Sequence, residues 1–142
     1  MEVQTAMINY LDAKILTVED DNNLRKTLMK ILIREGFCVA SVSNGQEALE
    51  LLELQNFDII ITDYKMPVLG GEEWVHKLNE LQGKDKILLL SAFLEEARVV
   101  EEEVGGSISK PFKRKELINK IFSLLKKNNF QGKNDGTISA ID

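Results

Sequence analysis

Cysteine and histidine are nearly absent from this chain, with one of each in 142 residues. A lone thiol builds neither a disulfide framework nor a cysteine metal cluster, which fits a reducing compartment. Cys38 lies in the apolar-rich stretch 36–42 and is expected to be a small buried core residue. The lone histidine, His76, falls beside Lys77 in a helical pattern and is expected to be exposed. The start of the chain has no basic n-region and no apolar h-region, and no apolar run approaches the length of a membrane span. Positive charge is also short: 18 Lys and Arg against 23 Asp and Glu leave a formal net charge of −5. That sign argues against nucleic acid as a direct partner. The expectation is a soluble cytoplasmic protein with no membrane contact. No internal repeat and no second domain is visible.

What is present is an alternation of short apolar runs with amphipathic ones. Strands are expected at 14–18, 37–42, 58–62, 86–90 and 107–109, and helices from Asn22 to Gly36, over 46–55, from Gly70-Gly71 to Gly83, over 94–104 and over 113–127. Leu24, Leu28, Ile31 and Leu32 share one face of the first helix, and Asp21 or Asn22 can cap it. Trp74, Val75, Leu78 and Leu81 form the stripe of the third, with Trp74 read as packing. Ala97, Val100 and Val104 face inward from the fourth, whose five glutamates read as a solvated face. Strand and helix repeated five times imply an α/β fold, a parallel sheet with helices on both faces. Residues 1–13 have no clear period and read as an N-terminal extension, 14–127 as the domain, and 128–142 as a disordered tail with little to bury.

The strand ends carry the chemistry. Glu19-Asp20-Asp21 follows the first strand, Asp63 the third, Ser91 the fourth and Lys110 the fifth. In a parallel sheet these ends share one edge, where open α/β sheets bind ligands. Each residue alone has a bland reading as a turn or surface residue; together, at successive strand ends, they do not. Two carboxylates about 4 Å apart repel by about 4 kcal/mol at an effective dielectric near 20, so the cluster needs a cation. Hard oxygen donors suit Mg²⁺, which takes one or two carboxylates plus phosphate oxygens. Lys110 adds a mobile positive charge and Ser91 a hydroxyl donor. Such a clamp around Asp63 fits a phosphoryl group carried on that carboxylate. The Lys110-Pro111 peptide is expected to be cis, since only an X-Pro bond makes that form accessible.

These residues resemble the receiver domain of two-component response regulators, the single-domain chemotaxis regulator being the familiar form. The family pattern reads here as Glu19-Asp20, Asp63-Tyr64-Lys65-Met66-Pro67, Ser91-Ala92 and Lys110-Pro111-Phe112, and the likeness covers 14–127. The resemblance implies a flavodoxin-like five-stranded sheet of order 2-1-3-4-5 with five helices. It implies Asp63 as phosphoacceptor and as a member of the Mg²⁺ ligand set, Asp20 as a direct Mg²⁺ ligand, Glu19 acting through water and Lys65 lending its backbone carbonyl. Ser91, with Ala92 beside it, and Lys110 would hold phosphoryl oxygens. A sensor histidine kinase or histidine phosphotransfer protein would donate the phosphoryl group. Output would pass to a downstream protein target, and a weak or phosphorylation-dependent homodimer is compatible with it. Three positions depart from the pattern. Ser107 stands where an inward-turning aromatic is usual, Gly105-Gly106 near the usual Gly-Ala, and Gly70 where Asp is common. The first puts the usual output switch in question, which leaves a phosphate relay or sink as the runner-up. A receiver excised from a hybrid kinase or larger regulator fits as well. A haloacid dehalogenase-type phosphatase would need an acid two residues after Asp63, where Lys65 stands. A nucleotide-binding module would need a glycine-rich loop after the first strand, where the acidic run stands.

Overall fold

A computed structural model describes residues 9–132. Five parallel strands form one sheet in the order β2-β1-β3-β4-β5: β1 Lys14–Val18, β2 Cys38–Val42, β3 Ile59–Asp63, β4 Ile87–Ser91 and β5 Gly106–Ser109. The helices are α1 Asn22–Glu35, α2 Gly45–Leu54, α3 Gly71–Gln82, α4 Leu94–Ala97 and α5 Arg114–Lys127. This is the expected flavodoxin-like order, in which the chain reverses its winding direction between β1 and β3. All five residues of β3 and of β4 are buried, as strands covered on both faces must be.

Two cores lie on opposite faces of the sheet. One packs Ile15, Ile59, Ile61 and Leu88 against Leu28 and Leu32 of α1 and Leu117, Ile121 and Leu125 of α5. The other packs Leu16, Val18, Ile60 and Leu89 against Ala48 of α2 and Trp74, Val75 and Leu78 of α3. The alternation along each strand sends successive side chains to opposite cores. Full burial of each such side chain contributes about 1.5–3 kcal/mol. Among the described residues no helix is long and apolar enough to cross a membrane.

Several expectations are corrected. Cys38 is exposed, not a core residue. It is the first residue of edge strand β2, and its neighbour Phe37 takes the inward position. Leu81 is 56% exposed because the last turn of α3 carries it off the buried stripe. The expected fourth helix over 94–104 is one α-turn followed by a 3₁₀ segment, Arg98–Glu103. It starts at Phe93 without a side-chain cap, then meets the β-branched pair Val99-Val100 and three consecutive glutamates. Those features weaken α-propagation. Ala97, Val100 and Val104 still face inward as expected.

The ends of the domain are tied together. Tyr10 lies edge-on to Phe122, 5.9 Å between centroids, and tilted against Phe130 at 6.3 Å. Asn128 donates through Nδ2 to the Asp85 carbonyl at 2.8 Å. The segment 128–132, expected to begin a loose tail, is therefore held to the domain at Asn128 and Phe130, since Phe130 supplies an apolar anchor in a polar stretch. The rest of that expected tail, and residues 1–8 of the expected extension, lie outside the described residues.

The loop after β3 carries local strain. Val68 has φ +71° and is 79% exposed. A β-branched side chain in this left-handed region costs about 1–2 kcal/mol. Val68→Asn is therefore expected to stabilise the protein by about 1 kcal/mol, read as a rise in Tm of about 3–6 °C. An unchanged or lower Tm contradicts the strain. Two residues on, Gly70 is required by close approach: a Cβ there would lie 2.5–2.6 Å from the backbone O and N of Met66. That contact is a physical reason for glycine at this departure from the family pattern.

Candidate functional site

The carboxyl ends of β1, β3, β4 and β5 converge as the parallel topology requires. Glu19 follows β1 and is fully buried; Asp63 ends β3 and is 6% exposed. One carboxylate oxygen from each of Glu19, Asp20 and Asp63 lies within 4.8 Å of the others. Lys110, following β5, places Nζ 2.9 Å from Glu19 Oε1 and 3.0 Å from Asp63 Oδ2. Register fixes this meeting, since Ser91 pairs with Ser109 and the Lys110 amide donates to the Ser91 carbonyl at 2.8 Å. The Lys110-Pro111 peptide is cis.

Local hydrogen bonds aim each group. Glu19 Oε2 accepts from the Asp21 amide at 3.1 Å, and Arg25 Nη1 of α1 donates to the Glu19 carbonyl at 2.9 Å. Asp21 caps α1 by accepting from the Leu24 amide at 2.9 Å. Asp63 Oδ1 accepts from the Tyr64 amide at 3.0 Å, which leaves Oδ2 turned toward Lys110. Ser91 Oγ donates to the Phe93 carbonyl at 2.9 Å and accepts from the Phe93 amide at 3.1 Å, spanning exposed Ala92. The Lys65 side chain points away from the cluster to Glu96, 3.3 Å off.

Electrostatics show a site short of positive charge. Burial raises the Glu19 carboxyl to about 7 against the pull of Lys110 and the Asp21 amide, and the Asp63 charge raises it further. Burial also raises Asp63, opposed by Lys110. For Lys110 the loss of hydration pulls downward, but Glu19 and Asp63 together outweigh it and the ammonium is held above its usual range. Glu19 Oε1 is buried, and Lys110 Nζ is the charged group that meets it, at 2.9 Å. Three carboxylates converging on one point, with two of them buried and Asp20 open to solvent, form an all-oxygen cluster that fits a hard divalent cation such as Mg²⁺.

Other expected positions lie apart from the cluster. Ser107 is half-buried in β5, beside a cleft of about 250 Å³ lined also by Leu89, Leu94, Ala97 and Val104. His76 is exposed on α3, its ring nitrogens against Glu72 at 3.2 Å and Glu103. Those two carboxylates raise its pKa, Glu103 first. The sequence analysis assigned no role to Arg25 or to Thr62. Neither gave a signal in the sequence, because each acts through backbone atoms that only the fold brings near.

The family model described as response regulator receiver domain matches residues 15–122. The response regulator receiver protein CpdR of Brucella abortus is 32% identical over 115 residues, 79% of this chain and 96% of the relative. The probable transcriptional regulator ycf29 of Pyropia yezoensis is 37% identical over 117 residues, but this chain covers only 53% of its length. Among solved structures, the response regulator protein TrrA of Thermotoga maritima in complex with Mg²⁺-BeF superposes with a TM-score of 0.72 at 32% identity, over 80% of this chain and 99% of that one.

Proposed function

The chain belongs to the family of response regulator receiver domains, and on that premise we propose that it is a phosphoacceptor signalling module phosphorylated on Asp63 in a Mg²⁺-dependent reaction. The observation that carries this reading is the pairing of Asp63 Oδ2 with Lys110 Nζ at 3.0 Å beside the Glu19–Asp20 pair. Asp63 is the nucleophile, its carboxylate oxygen attacking phosphorus while the donor's leaving group departs. Asp20, the exposed member of the cluster, would bind Mg²⁺ directly, Asp63 and the Lys65 carbonyl would complete the protein's share, and Glu19 would act through water. Bound there, the ion neutralises charge on the transferring phosphoryl oxygens. Lys110 exchanges its carboxylate partners for a phosphoryl oxygen, and Ser91 offers its hydroxyl to another with Ala92 alongside.

Mg²⁺ bound to the TrrA relative supports this cofactor. The phosphodonor is a sensor histidine kinase or a histidine phosphotransfer protein. Output passes by protein–protein contact, without direct contact to nucleic acid. Ser107 beside an open cleft favours one second reading, a phosphate relay or sink, because no bulky side chain is there to lock an active state.

Incubation with acetyl phosphate and Mg²⁺, followed by intact-mass analysis, tests the central claim: one phosphoryl group is gained, and EDTA prevents it. Equal gain in EDTA contradicts it. At ten times its dissociation constant, Mg²⁺ is expected to add about 1.4 kcal/mol to stability. Asp20→Asn is expected to lose that response in a thermal-shift titration; a response equal to wild type removes Asp20 from the ligand set.

A further inference from the structure

Thr62 and Trp74 have no part in the roles given above, yet both are fully buried and hydrogen-bond in series toward Asp63. Trp74 Nε1 donates to Thr62 Oγ1 at 2.8 Å, and Thr62 Oγ1 donates to the Asp63 carbonyl at 3.0 Å. The amide of the same peptide, on Tyr64, donates to the Leu90 carbonyl at 2.9 Å and to Asp63 Oδ1 at 3.0 Å. The peptide joining Asp63 to Tyr64 is thus held at both ends.

We propose that Thr62 and Trp74 are positioning residues for Asp63, a buried relay that sets the tilt of the Asp63–Tyr64 peptide and, through the Tyr64 amide, the direction of the Asp63 carboxylate. The proposal rests on Asp63 being the phosphoacceptor. An indole N–H only donates, so it occupies a Thr62 lone pair and leaves the hydroxyl proton for the carbonyl. Hydrogen bonds in series polarise one another in a dry interior. If the peptide tilts, the Tyr64 amide moves and Oδ1 follows it. Oδ2 then turns out of the 3.0 Å approach to Lys110. Position along the chain agrees with this role: Thr62 faces the α3 side of the sheet, while Asp63, one residue on, faces the opposite way at the open end.

Three variants test the relay. Thr62→Val keeps the shape and removes both bonds; Thr62→Ser keeps the hydroxyl; Trp74→Phe removes the donor together with part of the buried indole's volume. With acetyl phosphate at saturating Mg²⁺, Thr62→Val is expected to be phosphorylated about tenfold more slowly, as misplaced reacting atoms require. Thr62→Ser is expected to recover most of the rate, although it loses the same methyl packing that a purely structural role would need. Amide hydrogen exchange supplies a readout independent of phosphorylation: the Tyr64 amide is expected to exchange faster in Thr62→Val, relative to the strand amides of β3, and normally in Thr62→Ser. A wild-type rate and wild-type Tyr64 exchange in Thr62→Val overturn the proposal, as does a Thr62→Ser protein as slow as Thr62→Val. If Thr62→Val does not fold, Trp74→Phe decides, and an unchanged rate and exchange there overturn the relay. A wild-type protein that takes no phosphoryl group overturns the phosphoacceptor reading itself, while faster Tyr64 exchange in Thr62→Val would still stand as evidence for the relay's geometry.

Discussion

Asp63→Asn and Asp63→Ala are expected to take up no phosphoryl group from acetyl phosphate, whatever the Mg²⁺ concentration, because no other carboxylate in the cluster is placed to replace the proposed nucleophile. Asp20 is exposed and on the rim, and Glu19 is buried with Oε2 held by the Asp21 amide. Lys110→Ala is a graded case. It retains Asp63 and the acidic cluster but loses the ammonium 3.0 Å from Asp63 Oδ2 that is proposed to meet the transferring oxygens. A single positioned charge of this kind is worth about 10²-fold in rate, or about 3 kcal/mol. The time course of intact mass separates the two behaviours. Incorporation into Asp63→Ala at the wild-type rate would remove Asp63 from its role. Asp63→Asn also relieves repulsion against Glu19, so in metal-free buffer it is expected to be no less stable than wild type.

Metal-free protein is expected to lose stability as pH rises from about 4.5 to about 7, the reverse of ordinary acid denaturation. Glu19 titrates near 4.5 when unfolded and near 7 when folded, because burial outweighs its pairing with Lys110. A proton bound more tightly by the folded state stabilises it fully below the unfolded value, and that contribution is lost as pH passes the folded value. Asp63 is shifted in the same direction and adds to the trend. Lys110 stays protonated throughout and does not change in this window. The expected fall is about 2 kcal/mol, given about 1.4 kcal/mol for each tenfold difference in proton affinity and some relaxation of the charged site. Urea unfolding in EDTA at pH 5 and pH 7.5 measures it. Mg²⁺ is expected to narrow the gap, acting strongly at pH 7.5 and weakly at pH 5, where protons occupy the same oxygens. Stability that rises with pH in EDTA would show that Lys110 already compensates the cluster.

The order of elements and the cluster of functional side chains were legible in the residues alone. Continuous apolar runs such as Ile59–Ile61 and Leu88–Leu90 read as strands buried on both faces, which they are, and the amphipathic runs between them read as the helices that return the chain. Topology then carries Glu19, Asp63, Ser91 and Lys110 to one sheet edge without any further choice. Edges and breaks were not legible. Cys38 read as core because its neighbours are apolar, but an edge strand has one end with nothing above it. The fourth helix read as one element because its inward positions do share a helical period, whereas a 3₁₀ segment keeps nearly the same face over so short a span. Residues 128–132 read as tail because their composition is polar, while Phe130 needed Tyr10 from the other end of the domain to become an anchor. The Thr62–Trp74 relay lay furthest from view. Period and composition report which face a residue takes. Which hydroxyl meets which carbonyl is decided only when a strand end and a helix pack to within about 3 Å.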